Sequence, residues 1–211
     1  MTDLLASLMA NLAALFNGNM AWAILAVALA VRLALLPLTL HLARKMLANQ
    51  HKIKALQPQA DAIKQELAAD PRAMFAAISK LYKENGAHLL DRASLLGALV
   101  QLPVFGLLYK AVSNAAAGTD TFLWIKNLAS PDAALTAIVL VLSAISAYYF
   151  PTVAADTATM MIVVQVLVTA FILWKLSAAL GLYWAASSAV GVVQTFILRY
   201  EQRRIAAIGA A

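Results

Sequence analysis

The sequence predicts an all-α polytopic membrane protein: five transmembrane helices around a hydrophilic groove, with a cytoplasmic helical hairpin and an N-terminal interfacial helix. Three observations predict it. The 211 residues are 63% hydrophobic and only 12% charged, about half the charged share of an ordinary soluble domain. Several apolar runs reach the roughly 20 residues that a helix needs to cross a hydrocarbon core of about 30 Å. One of these runs, ILAVALAVRLALLPLTL at positions 24–40, nevertheless holds a fixed positive charge, Arg32, in its middle. There are no cysteines, which excludes disulfides and thiolate metal sites. The formal net charge of +6 speaks to orientation rather than to nucleic acid in so apolar a chain.

The first element is the stretch MTDLLASLMANLAALFNGN. It has no Lys or Arg, so it lacks the basic start of a secretory signal and is expected to be retained. Leu4, Leu5, Leu8, Met9, Leu12, Leu15 and Phe16 recur at helical spacing and leave Ser7 and Asn11 on another face. The expectation is an external amphipathic helix lying in the interface over residues 1–19. A ragged start to the first span is the plainer alternative. Asn17, Gly18 and Asn19 break the run.

Five spans follow: Met20 to Leu42, Leu95 to Ala116, Ala133 to Phe150, Thr157 to Leu176 and Leu180 to Leu198. The segment after the first holds Arg44, Lys45, Lys52, Lys54, Lys64, Arg72, Lys80, Lys83 and Arg92, and the chain after the last span, with the short tail 200–211, holds Arg199, Arg203 and Arg204. The opposite side has Lys126 and Lys175 and nothing in the N-terminal segment. An odd number of spans puts both basic regions on one side. The positive-inside rule then makes them cytoplasmic and the N-terminus external.

The cytoplasmic segment, residues 43–92, reads as a helical hairpin. Ile53, Leu56, Ile63 and Leu67 trace one side of the first arm; Met74, Phe75, Ile78, Leu81 and Tyr82 trace one side of the second. Between them Asp70 is placed to cap a helix whose first residue is Pro71, and Gly86 stops it. Two short helices without a core are marginal, so the hairpin is expected to move or to dock on a partner.

Arg32 lies near mid-depth of its span, too far from either surface to snorkel, and a charge there costs several kcal/mol, about 2.5–3.5 on insertion scales, unless it finds a partner or water. None of the ten acids falls inside a span. The expectation is a water-filled cavity open to one side of the bilayer, the alternative a structural arginine bonded to carbonyls. Every other span supplies polar groups: Gln101; Ser143 and Ser146; Gln165 and Thr169; and Trp184, Ser187, Gly191 and Gln194 in 3-4-3 spacing along one helical stripe. Each of these could instead simply bond a neighbouring helix. Pro37 and Pro103 each free a backbone carbonyl beside a polar position, which fits a cavity better than a wall facing lipid.

Enzymatic readings fare poorly. His41, His51 and His88 are not spaced as metal ligands, no carboxylate sits at membrane depth, and neither Gly-x-Ser-x-Gly nor a glycine-rich phosphate loop occurs. A non-enzyme without cofactor or metal is expected.

Five pieces in order carry a resemblance: VRLALLPLT in the first span, LQPQADAIKQELAAD with LYKENG in the hairpin, VQLPVFGLLYKAV in the second span, FLWIKNLASPD in the following loop, and LGLYWAASSAVGVVQTFILR in the last. The chain resembles the YidC family of membrane protein insertases, the bacterial branch of the YidC/Oxa/Alb group, over about residues 20–204. The resemblance implies a groove open to the cytoplasm and to lipid and closed to the outside, whose arginine receives the polar segment of a nascent membrane protein before the apolar part slides into lipid. Carried over by motif position, the implied substrate-binding residues are Arg32, Gln101, Trp184 and Gln194; Gln165 and Ser187 are added to them as polar groups that could line the same groove. The implied partners are nascent membrane proteins and membrane lipids, with the ribosome or the Sec translocon as further candidates and no nucleic acid directly. The family's Pro-x-Gly before the last span is replaced by Ser177, Ala178 and Ala179, and its Asn-Pro-Leu and Cys-x-x-Pro before the second by GAHLLDRASLLGAL. A short form without a large external domain is expected. The rival from another class is a solute, ion or lipid conduit using the same cavity; no paired half-repeats of the transporter kind are present.

Overall fold

The computed structural model describes residues 2–88, 95, 96, 99, 106, 121–151 and 155–209. Seven helices are named among them: α1 (Thr2–Leu15), α2 (Met20–Ala55), α3 (Gln57–Glu66), α4 (Pro71–Glu84), α5 (Ala133–Tyr149), α6 (Ala155–Leu173) and α7 (Ala178–Gly209). By length and composition Met20–Ala55 and the Ala178–Ile205 part of α7 can each cross a bilayer; Ala133–Tyr149 and Ile162–Leu173 are shorter apolar helices. Of the second expected span only residues 95, 96, 99 and 106 are described; Gln101 and Pro103 lie outside the described residues.

Two helices outrun the spans read from hydropathy. The first does not end at 42 but continues to Ala55. Residues 43–55 contain neither Gly nor Pro and are mostly good helix formers, Ala and Lys foremost, so nothing stops propagation when the apolar pattern does. At about 1.5 Å per residue the 36-residue helix is about 54 Å long, well beyond a hydrocarbon core. Pro58 forces the break by entering the first turn of α3, with Leu56 shared as the cap between the two helices. Helix α7 likewise runs past Leu198 to Gly209. The hairpin proper is therefore α3 and α4, mounted on an extension of the first span.

Side-chain contacts fix the relative directions. Arg32 meets Ser187, Thr39 meets Gln194 and Arg44 meets Glu201, so α2 and α7 run parallel. Leu135 packs against Gly181, Ser146 meets Thr195, and Tyr149 meets Phe196, so α5 is parallel to α7 as well. Five residues of sequence separate α5 from α6, and the two helices pack against each other. Helix α6 turns Met160, Val163, Leu167, Val168 and Phe171 outward, all more than half exposed. Such a continuous apolar surface is unfavourable in water and suited to lipid.

The N-terminal ends of α2 and α7 are closed by a dry core. Ile24, Ala28, Phe122, Ile125, Leu128, Leu135, Leu180 and Tyr183 are at most 5% exposed there. The loop before α5 completes it: Phe122 and Ile125 pair through a narrow turn, Phe122 meets the Trp22 ring edge-on at 5.1 Å, and the Ser130 and Leu128 carbonyls accept the free N–H groups of Ala178 and Ala179. The chain thus caps the start of α7 with backbone from a distant loop.

The hairpin has a small core of its own, which corrects the expectation of two helices without one. Leu56, Ala60, Tyr82 and Ala87 are buried together, with Ile53, Ile78 and Leu81 against them. Asp70 accepts from the Arg72 and Ala73 amides, as its position predicts. Asn49 and the His88 backbone exchange two hydrogen bonds of 2.9 Å, and Lys52 donates to the Gly86 carbonyl at 3.0 Å. These contacts tie the hairpin to the α2 extension. Phe75 alone of the apolar residues read onto the α4 face is largely exposed.

Candidate functional site

Arg32 and Thr39 are seven residues apart on α2, as are Ser187 and Gln194 on α7. Two turns of each helix therefore return the side chains to one face, and parallel packing brings the faces together as a polar seam. The Arg32 Nε donates to the Ser187 hydroxyl at 2.9 Å. About two turns further on, the Thr39 hydroxyl bridges the Leu36 carbonyl at 3.1 Å and the Gln194 carboxamide oxygen at 3.0 Å. Arg32 is half-buried while Ser187 is 6% exposed. A guanidinium carries five N–H donors, and one hydroxyl occupies only one of them. Among the described residues no carboxylate is within ion-pair distance of Arg32.

The seam ends in a charged clasp. The Arg44 guanidinium donates Nε to Glu201 Oε2 at 2.9 Å and Nη2 to Oε1 at 2.6 Å, the two-pronged geometry that makes such pairs specific. Beside it Leu47, Ala48, His51, Leu198, Gln202 and Ile205 line a cavity of about 530 Å³. Hydrogen bonding to Arg44 holds the Glu201 carboxyl below the usual carboxylate range, and the same contact raises the guanidinium. A depressed carboxyl contributes stability that is complete above its unfolded value and is lost as pH falls through its folded value. Both side chains are substantially exposed, 50% and 35%, so the effect is local fastening rather than global stability. Spin labels at positions 48 and 205 are expected to keep a narrow distance distribution at neutral pH that broadens only when the pH drops through that lowered value. With Glu201→Gln the distribution should be broad already and indifferent to pH.

Of the residues read from sequence, Arg32, Ser187 and Gln194 come together in the seam. Trp184 is half-buried about one turn from Ser187, toward the closed end. Gln165 is exposed on α6, one turn from the buried Thr169, and makes no described hydrogen bond to the seam. Gln101 lies outside the described residues. Ser146 pairs with Thr195 at 3.0 Å, a link between α5 and α7 of the bland kind, one helix simply bonding another. The sequence reading missed Thr39 as a seam residue; its seven-residue spacing from Arg32 was the available signal.

The family model described as the 60Kd inner membrane protein matches residues 11–204. The membrane protein insertase YidC 1 of Lactiplantibacillus plantarum is 30% identical over 205 residues, covering 92% of this chain and 66% of that protein. The YidC insertase of Staphylococcus carnosus is 30% identical over 202 residues, covering 88% and 69%. A crystal structure of an active YidC insertase with its first transmembrane domain resolved matches with a TM-score of 0.61 at 28% identity, over 86% of this chain and 42% of that one. The fold and these similarities define an all-helical membrane protein. The chain belongs to the YidC family of membrane protein insertases. It spans about two thirds of the Lactiplantibacillus relative and 33% of the Helicobacter pylori one. The comparisons give no support to a solute, ion or lipid conduit.

Proposed function

We propose that the chain moves short polar segments of nascent membrane proteins across the bilayer through a hydrophilic groove containing Arg32, and releases their apolar helices into lipid. The observation that carries this reading is the Arg32 guanidinium, held between two apolar helices by a hydroxyl and facing no described carboxylate. A charge at that depth is expensive unless an anion or water meets it, and an acidic segment of a client supplies the anion transiently. Ser187 fixes the arginine, Thr39 and Gln194 extend the polar path, and Gln101, Gln165 and Trp184 line the remainder. A half-deep aqueous path shortens the dehydrated distance a polar segment must travel, so the step requires no nucleotide.

Five spans and an N-out, C-in orientation follow on the same reading. His88 is bonded to Asn49 and Thr121 to Asn19, contacts toward opposite ends of α2, which supports the reading of one further span in the sequence between them. Arg44, Lys45, Arg199, Arg203 and Arg204 gather where α2 and α7 emerge together, the end the positive-inside rule assigns to the cytoplasm. The dry core at the other end closes the groove to the outside. A photo-crosslinker at position 32 is expected to capture the polar terminal segment of a ribosome-stalled client, and one at the lipid-facing position 171 to capture only its apolar helix. Capture of the polar segment at 171 and not at 32 would remove the groove from the mechanism.

A further inference from the structure

Beyond insertion, the C-terminal ends of α5 and α7 form a second site. Arg199 and Arg203, four residues apart and therefore on one face of α7, project over the end of α5. The Arg199 guanidinium sits 4.8 Å from the centre of the Tyr149 ring, a cation–π contact that holds it in place while leaving its outer N–H groups unused by any described carboxylate. Glu201, the nearest acid on α7, is committed to Arg44 on another face. Residues 150–154 include no basic residue, and the one acid near them in sequence is Asp156 in the first turn of α6, compared with three arginines, Arg199, Arg203 and Arg204, on α7.

Two adjoining cavities share Tyr149, Arg199 and Arg203. One, about 310 Å³, is lined more by polar than apolar atoms and adds Tyr148, Phe150, Pro151 and Gln202; the other, about 320 Å³, is almost wholly apolar and adds Phe196 and Tyr200. Phe196 and Tyr200 are 47% and 67% exposed, so the apolar part opens outward, and Tyr148 at the polar cavity is 73% exposed. We propose that this pair of cavities binds an anionic phospholipid, its phosphodiester between Arg199 and Arg203 and the first part of an acyl chain along Phe196 and Tyr200. A cationic pocket joined to an outward apolar slot suits a molecule with a charged head and an apolar tail. Tyrosines at the rim belong at the headgroup level of a bilayer. The placement in the inner leaflet rests on the orientation proposed above; the binding itself does not.

Native mass spectrometry of the purified full chain, titrated with phosphatidylglycerol or with phosphatidylcholine of the same acyl chains, tests this without any insertion assay. The first phosphatidylglycerol is expected to bind about tenfold more tightly than phosphatidylcholine, the scale set by two arginines near an anionic headgroup. The R199Q/R203Q double variant should abolish the preference, and the exposed single change R203Q, which breaks no described contact, should lower it severalfold. K80Q/K83Q, which removes the same charge from the hairpin, should leave it intact. Equal binding of the two lipids in the wild type, equal loss in the hairpin variant, or displacement of phosphatidylglycerol by inorganic phosphate would each overturn the proposal.

Discussion

Arg32→Ala is expected to reduce insertion of clients with short acidic translocated segments by at least tenfold when it is the sole insertase in a depletion strain. An acidic group about 4 Å from the guanidinium gains about 4 kcal/mol at an effective dielectric near 20, before desolvation is subtracted. A third of that is already a factor of about ten. Arg32→Lys keeps the charge and should retain most activity, though it loses the planar fork that lets one N–H hold Ser187 while others face the groove. Ser187→Ala removes one hydrogen bond, worth about 1 kcal/mol, and should have a modest effect. Clients whose translocated segment carries no acid should be less sensitive to all three changes. Undiminished insertion of acidic clients by Arg32→Ala would show that the charge is structural and that the seam merely joins α2 to α7.

The second large effect concerns the closed end. A Cβ at Gly181 would lie 2.7 Å from Leu135 Cδ2 and 3.3 Å from its Cγ, and Leu135, 3% exposed in the dry core, has little room to withdraw. Gly181→Ala is expected to destabilise the fold by about 1–3 kcal/mol through overpacking, although alanine favours a helix over glycine by about 1 kcal/mol in the absence of a clash. Gly191→Ala is the internal control, because its added Cβ would meet only Ser146 Oγ at an ordinary 3.9 Å. Leu135→Ala alone should cost about 2–5 kcal/mol as a cavity. The Gly181→Ala/Leu135→Ala pair should cost clearly less than the sum, since the alanine enters the space the leucine vacates. Denaturant unfolding in detergent measures all four. A strictly additive pair would mean that Leu135 and Gly181 are not in contact in the folded protein.

Much of the architecture was legible because its causes are local. The apolar runs that become α2, α5, α6 and α7, the Asp70–Pro71 start of α4 and the stop at Gly86 all follow from composition and capping over a few residues. Boundaries were less legible. Hydropathy marks where lipid ends and not where a helix ends, so the continuation of α2 to Ala55 escaped it. The site was legible in half. Arg32 announced itself by the cost of a charge at depth, and Ser187 and Gln194 by their common stripe, but a stripe does not say which residue on another helix it meets. That Arg32 would bond Ser187 and that Thr39 would join Gln194 depended on two distant helices being parallel and in one register.

The sequence by itself determined an all-helical membrane protein with an unpaired arginine inside an apolar helix, because hydropathy, helix propensity and the distribution of acids are properties of the chain. Only the tertiary structure decided that α2, α5 and α7 run the same way, that a distant loop caps α7 through the Ser130 and Leu128 carbonyls, and that Glu201 clasps Arg44 across 157 positions. These outcomes depend on which faces pack and in what register, and both are settled by the burial of side chains from several elements at once rather than by any one segment.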